Sequence, residues 1–488
     1  MRKNNLVKNL LAAMTLLIAS STMISCQGLV DAVIGNTDNP AAPSQPEVKP
    51  ETSTATVTAD QTTVTIKSLS DFENVISSEQ NKELVKAIEA KAAAGEKYVI
   101  NVKSEQPLST ADFDDLSLPR VENADINLVF DKPVATIEAK PLVITADEKE
   151  STTSSAAINK LTITMPDGTD NVYLAIDLPE TTVKLAGNVT YSLVESVTAE
   201  KTLVVGEGVT IGTANIKAGS VEIQKGGKIK NLKVVNTKDI TTVALDFNSS
   251  ETLIDKLVIT DGAKVLVPSG FKERQSYLVG CVEGEGDGTG ILYPTDDFYT
   301  SDKSACYTFR LKGVTYLKNI TIAVPEVPVI KEKEYGLTDG LYYDIPEDVE
   351  NCTFKLKSTN FNFPNGIHAK GCDFSYKDLE FKIKPNSKDL KSSSIDFSFE
   401  SCKFCVFQNK ILAWLYINLS DFEGNTVNVI FKDCGVTKDD ILEVNYYHMI
   451  RFGHVRDGVT LNVKIDDKTY MAKLDENGNV ISLDDPTR

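Results

Sequence analysis

An all-β solenoid is the fold class that this sequence predicts, and three observations predict it. After residue 120 almost every segment reads as a short alternating strand bounded by Gly, Asn or Asp. Apolar segments then recur at a regular interval: Val183-Lys-Leu185, Leu203-Val-Val205 and Val221-Glu-Ile223. Each is followed by a Gly-rich turn and a second short strand, beginning at Val189, Val209 and Ile229. A period of about 20 residues with two strands per unit is the signature of stacked coils that bury their inner faces against one another. Finally, a signature of the form charged–small polar–Cys–x–Phe recurs at Glu350–Phe354, Lys370–Phe374 and Glu400–Phe404, and Lys432-Asp433-Cys434 repeats its first half. Its first interval, Cys352 to Cys372, matches the period, and the longer intervals to Cys402 and Cys434 suit coils with insertions.

The chain opens with Arg2, Lys3 and Lys8, an apolar run from Leu10 to Ala19, and small or polar residues up to Cys26. A basic start, a short apolar core and small residues before a cut site make a secretory signal. The apolar run is ten residues, against the ~20 that span a bilayer. An uncleaved signal anchor is the alternative, since no charge stands between Lys8 and Asp31. Met23-Ile24-Ser25-Cys26 resembles the lipobox of bacterial lipoproteins in the looser form of Bacteroidota. Ser25 fits the small residue before the cysteine, whereas Met23 and Ile24 depart from the usual Leu and Ala or Ser. The resemblance implies that residues 1–25 are removed and that Cys26 is acylated, holding the chain to a membrane, the outer membrane being expected. The surface signal of related lipoproteins, acidic residues directly after the cysteine, is weak in Gln27-Gly28-Leu29-Val30-Asp31, so the membrane side stays open.

Residues 26–60 read as a Pro/Ser/Thr tether, as in Asn39-Pro40-Ala41-Ala42-Pro43. Residues 61–125 read as an N-terminal capping region. Ser70-Asp71-Phe72-Glu73 fits a capping box, and an apolar stripe through Leu84, Val85, Ile88 and Ala92 ends at Gly95, with a break near Ser77-Ser78 that can split the helix in two. The solenoid body is expected over 126–440, in one piece or in halves divided near 270–312, and a C-terminal cap over 441–488. The cap holds a closing pair, Val459–Val463 and Thr469–Lys473, followed by Asn477-Gly478. This rung pattern resembles right-handed parallel β-helix proteins, the pectin-lyase-like fold, in which an N-terminal helix often covers the open end of the coil. A compact multi-domain β-sandwich is the alternative if the period is accidental.

The formal charge is −18; residues 1–25 carry three positive charges and no negative one, so their removal takes it to −21. An acidic body repels phosphate backbones, and nucleic acid is not an expected partner. Of eight cysteines, seven remain beyond Cys26, an odd number. In the recurring signature Cys and Phe lie two apart and face one side of a strand, so stacked coils would line them into ladders as buried hydrophobes. Cys402-Lys403-Phe404-Cys405 has CxxC spacing, but residues three apart face opposite sides of a strand and only three histidines occur in the chain.

Many proteins resembling this fold cut polysaccharides with clustered carboxylates, or with a calcium site beside a basic residue. Asp296-Asp297, Asp439-Asp440 and Asp466-Asp467 read instead as solvated turns. Glu283-Gly-Glu285-Gly-Asp287 reads as a flexible acidic loop without calcium-site spacing. The densest polar-aromatic stretch is Tyr446, Tyr447, His448, Arg451 and His454, a candidate ligand patch in which Arg451 or a histidine could act as a base and the tyrosines as a sugar platform. The competing view is a strand with alternate residues in the core. No phosphate loop, Gly-x-Ser-x-Gly elbow or HExxH occurs, and neither cofactor nor metal is expected. The resulting expectation is a non-catalytic envelope lipoprotein serving as a binding, adhesive or structural module, for glycans or an envelope protein. The alternative is a polysaccharide lyase or hydrolase with a site built across rungs.

Overall fold

The chain coils as a parallel β-helix. The computed structural model describes residues 52–486, apart from segments 147–156, 198–200, 238–241, 248–252, 268–278, 295–307, 324–340, 376–380, 384–393, 405–414, 419–421, 443–449, 454–457 and 475–479 and gaps of one or two residues. Among the described residues two long sheets run the length of the body, one of 15 strands and one of 16, joined by a third of six strands. The chain passes from the first sheet to the second and back: Thr182–Ala186, Thr190–Val197, Thr202–Val205, Thr210–Ile216, Gly219–Ile223. The register pairs Val183 with Leu203 and Leu203 with Val221, so the period in the sequence is one turn of the coil. Pairing continues from Ile254–Thr260 through Val279–Glu285 to Tyr316–Lys318 across the 270–312 region.

From Thr308 each turn adds a strand of the third sheet, such as Thr308–Arg310, Leu341–Asp344 and Thr359–Phe361. The short coil from Thr353 to Asp373 already holds this strand, Thr359–Phe361. The extra residues of longer coils therefore fall between strands. A three-sided coil encloses more volume than two facing sheets, and the core residues change to match. Among the described side chains from Val134 to Val282 the buried core is aliphatic apart from Met165 and Tyr191, whereas the later coils are filled by Phe354, Phe361, Phe363, Phe374, Phe397, Phe399 and Phe431. Phe354, Phe374 and Phe404 stack along the first sheet at 4.7 and 5.6 Å with interplanar angles of 16°. Phe399 and Phe431 stack at 5.6 Å on the second sheet and meet the first stack edge-on.

The recurring signature is the corner between the second and first sheets. Its charged residue ends a second-sheet strand facing outward. The small residue turns the chain in the left-handed region: φ is 52° at Asn351, 62° at Gly371, 53° at Ser401 and 55° at Asp433. Gly, Asn and Asp tolerate that conformation, which explains the small polar position. The cysteine then points inward. Cys352, Cys372 and Cys402 are buried, Cys434 is half-buried at the end of the row, and all four are free thiols. Cys372 donates to the carbonyls of Val349 (3.5 Å) and Lys370 (3.4 Å), and Cys402 to those of Ala369 and Glu400 (both 3.4 Å). The neighbouring thiol on the preceding rung, with burial, pushes Cys372 and Cys402 up to about 12. Both are protonated at neutral pH, as expected of inert core thiols.

At the N-terminal end, helices α1 (Asp71–Val75) and α2 (Ser78–Ala93) occupy the part of the first turn that in later turns is a second-sheet strand. Leu69, Phe72, Leu84 and Ile88 are buried beneath them. The Gln80 amide donates to the Ala55 carbonyl (2.9 Å) on the edge strand Thr54–Val57, covering a group that would otherwise invite another strand. That edge strand lies inside the segment read as tether. The capping box is not at Ser70, whose hydroxyl makes no cap bond. It is at Ser77, which accepts from the Gln80 amide N–H, while the Gln80 side chain accepts from the Ser77 N–H. Ser70 is itself helical (φ −62°, ψ −19°) where an N-cap is extended, and its hydroxyl bonds Ser68 Oγ at 2.8 Å. Ser77→Ala is expected to lower stability by about 1 kcal/mol and Ser70→Ala to leave it nearly unchanged, read by thermal unfolding. Gly95 ends α2 at φ 69°, with Glu96 N–H bonded to the Lys91 carbonyl and Gly95 N–H to that of Ala92. At the other end Thr460–Ile465, Lys468–Leu474 and Val480–Asp484 form antiparallel closing strands. Asn477-Gly478 lies outside the described residues.

Candidate functional site

Parallel, in-register stacking turns isolated residues into columns on the outer face of the second sheet, at a spacing of ~4.8 Å per rung. One column runs Asn231–Lys256–Cys281 and continues Tyr316–Asp348–His368–Ser398. The pairing of Val282 with Leu317 sets Cys281 beside Tyr316 and joins the two runs. Asp348 and His368 are exposed, and Ser398, Tyr316, Cys281 and Lys256 are half-buried. A second column, two residues on, alternates in sign: Glu283–Lys318–Glu350–Lys370–Glu400–Lys432. Lys318 pairs with Glu350 at 3.2 Å and Lys432 with Glu400 at 3.1 Å. In-register stacking would set like charges side by side, so alternation removes a repulsion that would otherwise favour slipped registers. A third column, on the other flank, is amide-linked: Asn428 Nδ2 donates to Asp396 (2.7 Å), and Asn462 Nδ2 to Asn428 Oδ1 (2.9 Å).

The tightest cluster is Lys256, Glu283, Tyr316 and Cys281. Lys256 forms an ion pair with Glu283, and the Tyr316 hydroxyl donates to the same carboxylate. Lys256, then Tyr316, hold the Glu283 carboxyl below the usual range, while that carboxylate raises the Tyr316 phenol. Burial raises the Cys281 thiol. Asp255 and Glu285 are likewise paired, with Lys228 at 2.9 Å and Lys233 at 2.5 Å. The Glu283 carboxylate is therefore ionised and engaged by a lysine, the opposite of the raised carboxyl a glycosidic general acid needs. A group whose folded pKa is lowered contributes stability above its unfolded pKa, about 4.3 for Glu, and loses it as pH falls through the folded value. Glu283→Gln is thus expected to flatten the fall of Tm between about pH 5 and 3, read by thermal scans across pH.

Most residues singled out from sequence lie elsewhere. Cys26, Tyr446, Tyr447, His448 and His454 fall outside the described residues. Arg451 lies in the third-sheet strand Ile450–Gly453, in register with Tyr416, on a different sheet from the columns. Asp296-Asp297 is also outside the described residues. Asp439-Asp440 opens the short helix α3 (Asp439–Leu442), with Asp440 accepting from Thr437, and Asp466-Asp467 makes the closing hairpin turn. The acidic stretch at 283–288 is not a free loop. Glu283 and Glu285 are in a strand, and the Asp261 carboxylate accepts from the N–H groups of Asp287 (2.7 Å) and Thr289 (3.2 Å) beyond it. Among the described residues no three His, Cys, Asp or Glu side chains converge on a point a metal ion could occupy. A cleft of about 350 Å³ lies at a corner by Glu122, Asn159, Glu180 and Lys201, away from the columns.

The columns had a signal in the sequence. Asp348, His368 and Ser398 each stand four positions before a signature cysteine, and Glu350, Lys370, Glu400 and Lys432 stand two before. No family model, no curated protein and no solved structure matches this chain.

Proposed function

We propose that this chain is a bacterial envelope lipoprotein, held to a membrane by acylated Cys26, whose β-helix is a non-catalytic recognition module for an extended glycan. The observation that carries the reading is the outer face of the second sheet, where donor and acceptor side chains repeat rung after rung. Such long regular faces suit extended ligands. The N-terminal sequence pattern supports the anchor, and loss of radiolabelled palmitate incorporation in Cys26→Ser is the result expected; equal labelling of both chains would remove the anchor from the proposal.

The recognition reading is tested by a polysaccharide screen on soluble protein from Gln27 to Arg488, scoring binding and product release together. Binding without release is expected. A catalytic reading draws on one cluster, Lys256–Glu283–Tyr316 with Cys281, where acidic and basic groups meet on neighbouring turns. Release of oligosaccharides that ceases in Glu283→Gln would replace the recognition reading with that one.

A further inference from the structure

We infer that the outer face of the second sheet takes a neutral glycan strand lying along the solenoid axis, and that it excludes acidic polymers. The inference rests on the recognition reading and narrows it to one ligand class.

Direction follows from the columns. A polymer crossing the sheet meets the few outward residues of a single strand. One lying along the axis meets Tyr316, Asp348, His368 and Ser398 in succession, at a constant step of ~4.8 Å. The side chains of Asp348, His368 and Ser398 make no hydrogen bond to any described residue, so they face outward with donors and acceptors free for hydroxyl groups. Tyr316 supplies an apolar ring at the start of the row.

Charge selects the class. The flanking column Glu283–Lys318–Glu350–Lys370–Glu400–Lys432 holds three carboxylates and three ammonium groups, which cancel. Ion pairs at Lys256–Glu283, Lys318–Glu350 and Lys432–Glu400 engage five of these six charges, and the sixth, Lys370, stands in register between Glu350 and Glu400. No uncompensated row of Lys or Arg is left among the described residues of this face to hold a polyanion, and the chain around it carries −18. Long-range repulsion therefore opposes uronate or sulfate polymers, while a neutral chain meets no electrostatic cost. This differs from a basic groove, where cationic side chains would supply the affinity and salt would remove it.

The test uses the full chain in detergent with a panel of neutral polymers (β-glucan, mannan, xylan, dextran) and acidic ones (polygalacturonate, alginate, hyaluronan, chondroitin sulfate), read by affinity electrophoresis and calorimetry. The expected result is that the tightest ligand is neutral, at least about tenfold above every acidic polymer, with affinity unchanged between about 0.05 and 0.5 M salt. His368→Ala and Ser398→Ala should each weaken it severalfold, whereas Lys184→Ala, on the outer face of the first sheet, should not. Circular dichroism confirms that each variant is folded. If the tightest ligand is acidic, or affinity falls steeply with salt, the neutral-ligand inference is overturned and the recognition reading stands. If Lys184→Ala weakens binding as much as His368→Ala, the face is wrong. If no polymer binds, the recognition reading falls and the inference falls with it.

Discussion

Gly366→Ala should abolish cooperative folding of the C-terminal coils, with a loss of more than about 4 kcal/mol. Gly366 begins the strand Gly366–Lys370 at φ 106°, a conformation an L side chain rarely adopts. A Cβ there would collide with the carbonyl oxygen of Asp396 and stand 2.9 Å from its carbon and 3.2 Å from its nitrogen. These are backbone atoms of the next rung, fixed by the pairing of Gly366 with Asp396, so no side-chain rotation relieves the contact. Strain in the left-handed region contributes about 1–3 kcal/mol, and the displacement of a stacked rung supplies the rest. Gly424→Ala is the matched comparison: its φ is 77°, but a Cβ would meet nothing within 4 Å. It should cost only about 1 kcal/mol. Denaturant unfolding followed by far-ultraviolet circular dichroism compares the two, and equal losses would mean that φ alone governs and the inter-rung collision does not matter.

Phe374→Ala should cost about 3–5 kcal/mol, the largest effect expected from any single core truncation. Its ring lies between Phe354 at 4.7 Å and Phe404 at 5.6 Å on the first sheet, and it meets Phe399 edge-on across the core at 6.2 Å. Removing it takes away the buried area of one ring and leaves a gap between two stacks that the rigid rungs cannot close. Phe374→Leu, which keeps most of the volume, should cost about 1.5 kcal/mol or less. Because each turn of a solenoid touches only its neighbours, the loss should be coupled to adjacent rungs. A double-mutant cycle of Phe374 with Phe399 should show coupling of about 0.5–1.5 kcal/mol, and one with Val183 should be additive. Coupling to Val183 of similar size would mean that the body folds as a single cooperative block rather than rung by rung.

The same rung logic separates what could be read along the chain from what could not. Val183, Leu203 and Val221 were legible as one recurring position, and the register pairs them directly. The four signature cysteines were legible as a ladder, and the three innermost are buried in consecutive turns. The third sheet was not legible. Its strands are often very short, as at Thr359–Phe361 and Phe381–Ile383, too short to show a period. The helix cap, read at Ser70, falls at Ser77 for a different reason. Ser70-x-x-Glu73 and Ser77-x-x-Gln80 fit one pattern, and the backbone decided between them: Ser70 is helical, whereas Ser77 is extended and caps Gln80.

By itself, then, the sequence determined the solenoid, its period and its inward ladders, because every coil must bury the same positions and so repeats the same kind of residue there. Only the tertiary structure showed that the outer positions, which at Asp348, His368 and Ser398 can be counted off from the signature cysteines, line up as columns and run on to Tyr316, Cys281 and Lys256. Outward positions meet solvent and are free to vary, so Tyr316, Asp348, His368 and Ser398 share no residue type and are unevenly spaced along the chain. They form a row only because backbone hydrogen bonding holds successive rungs in register.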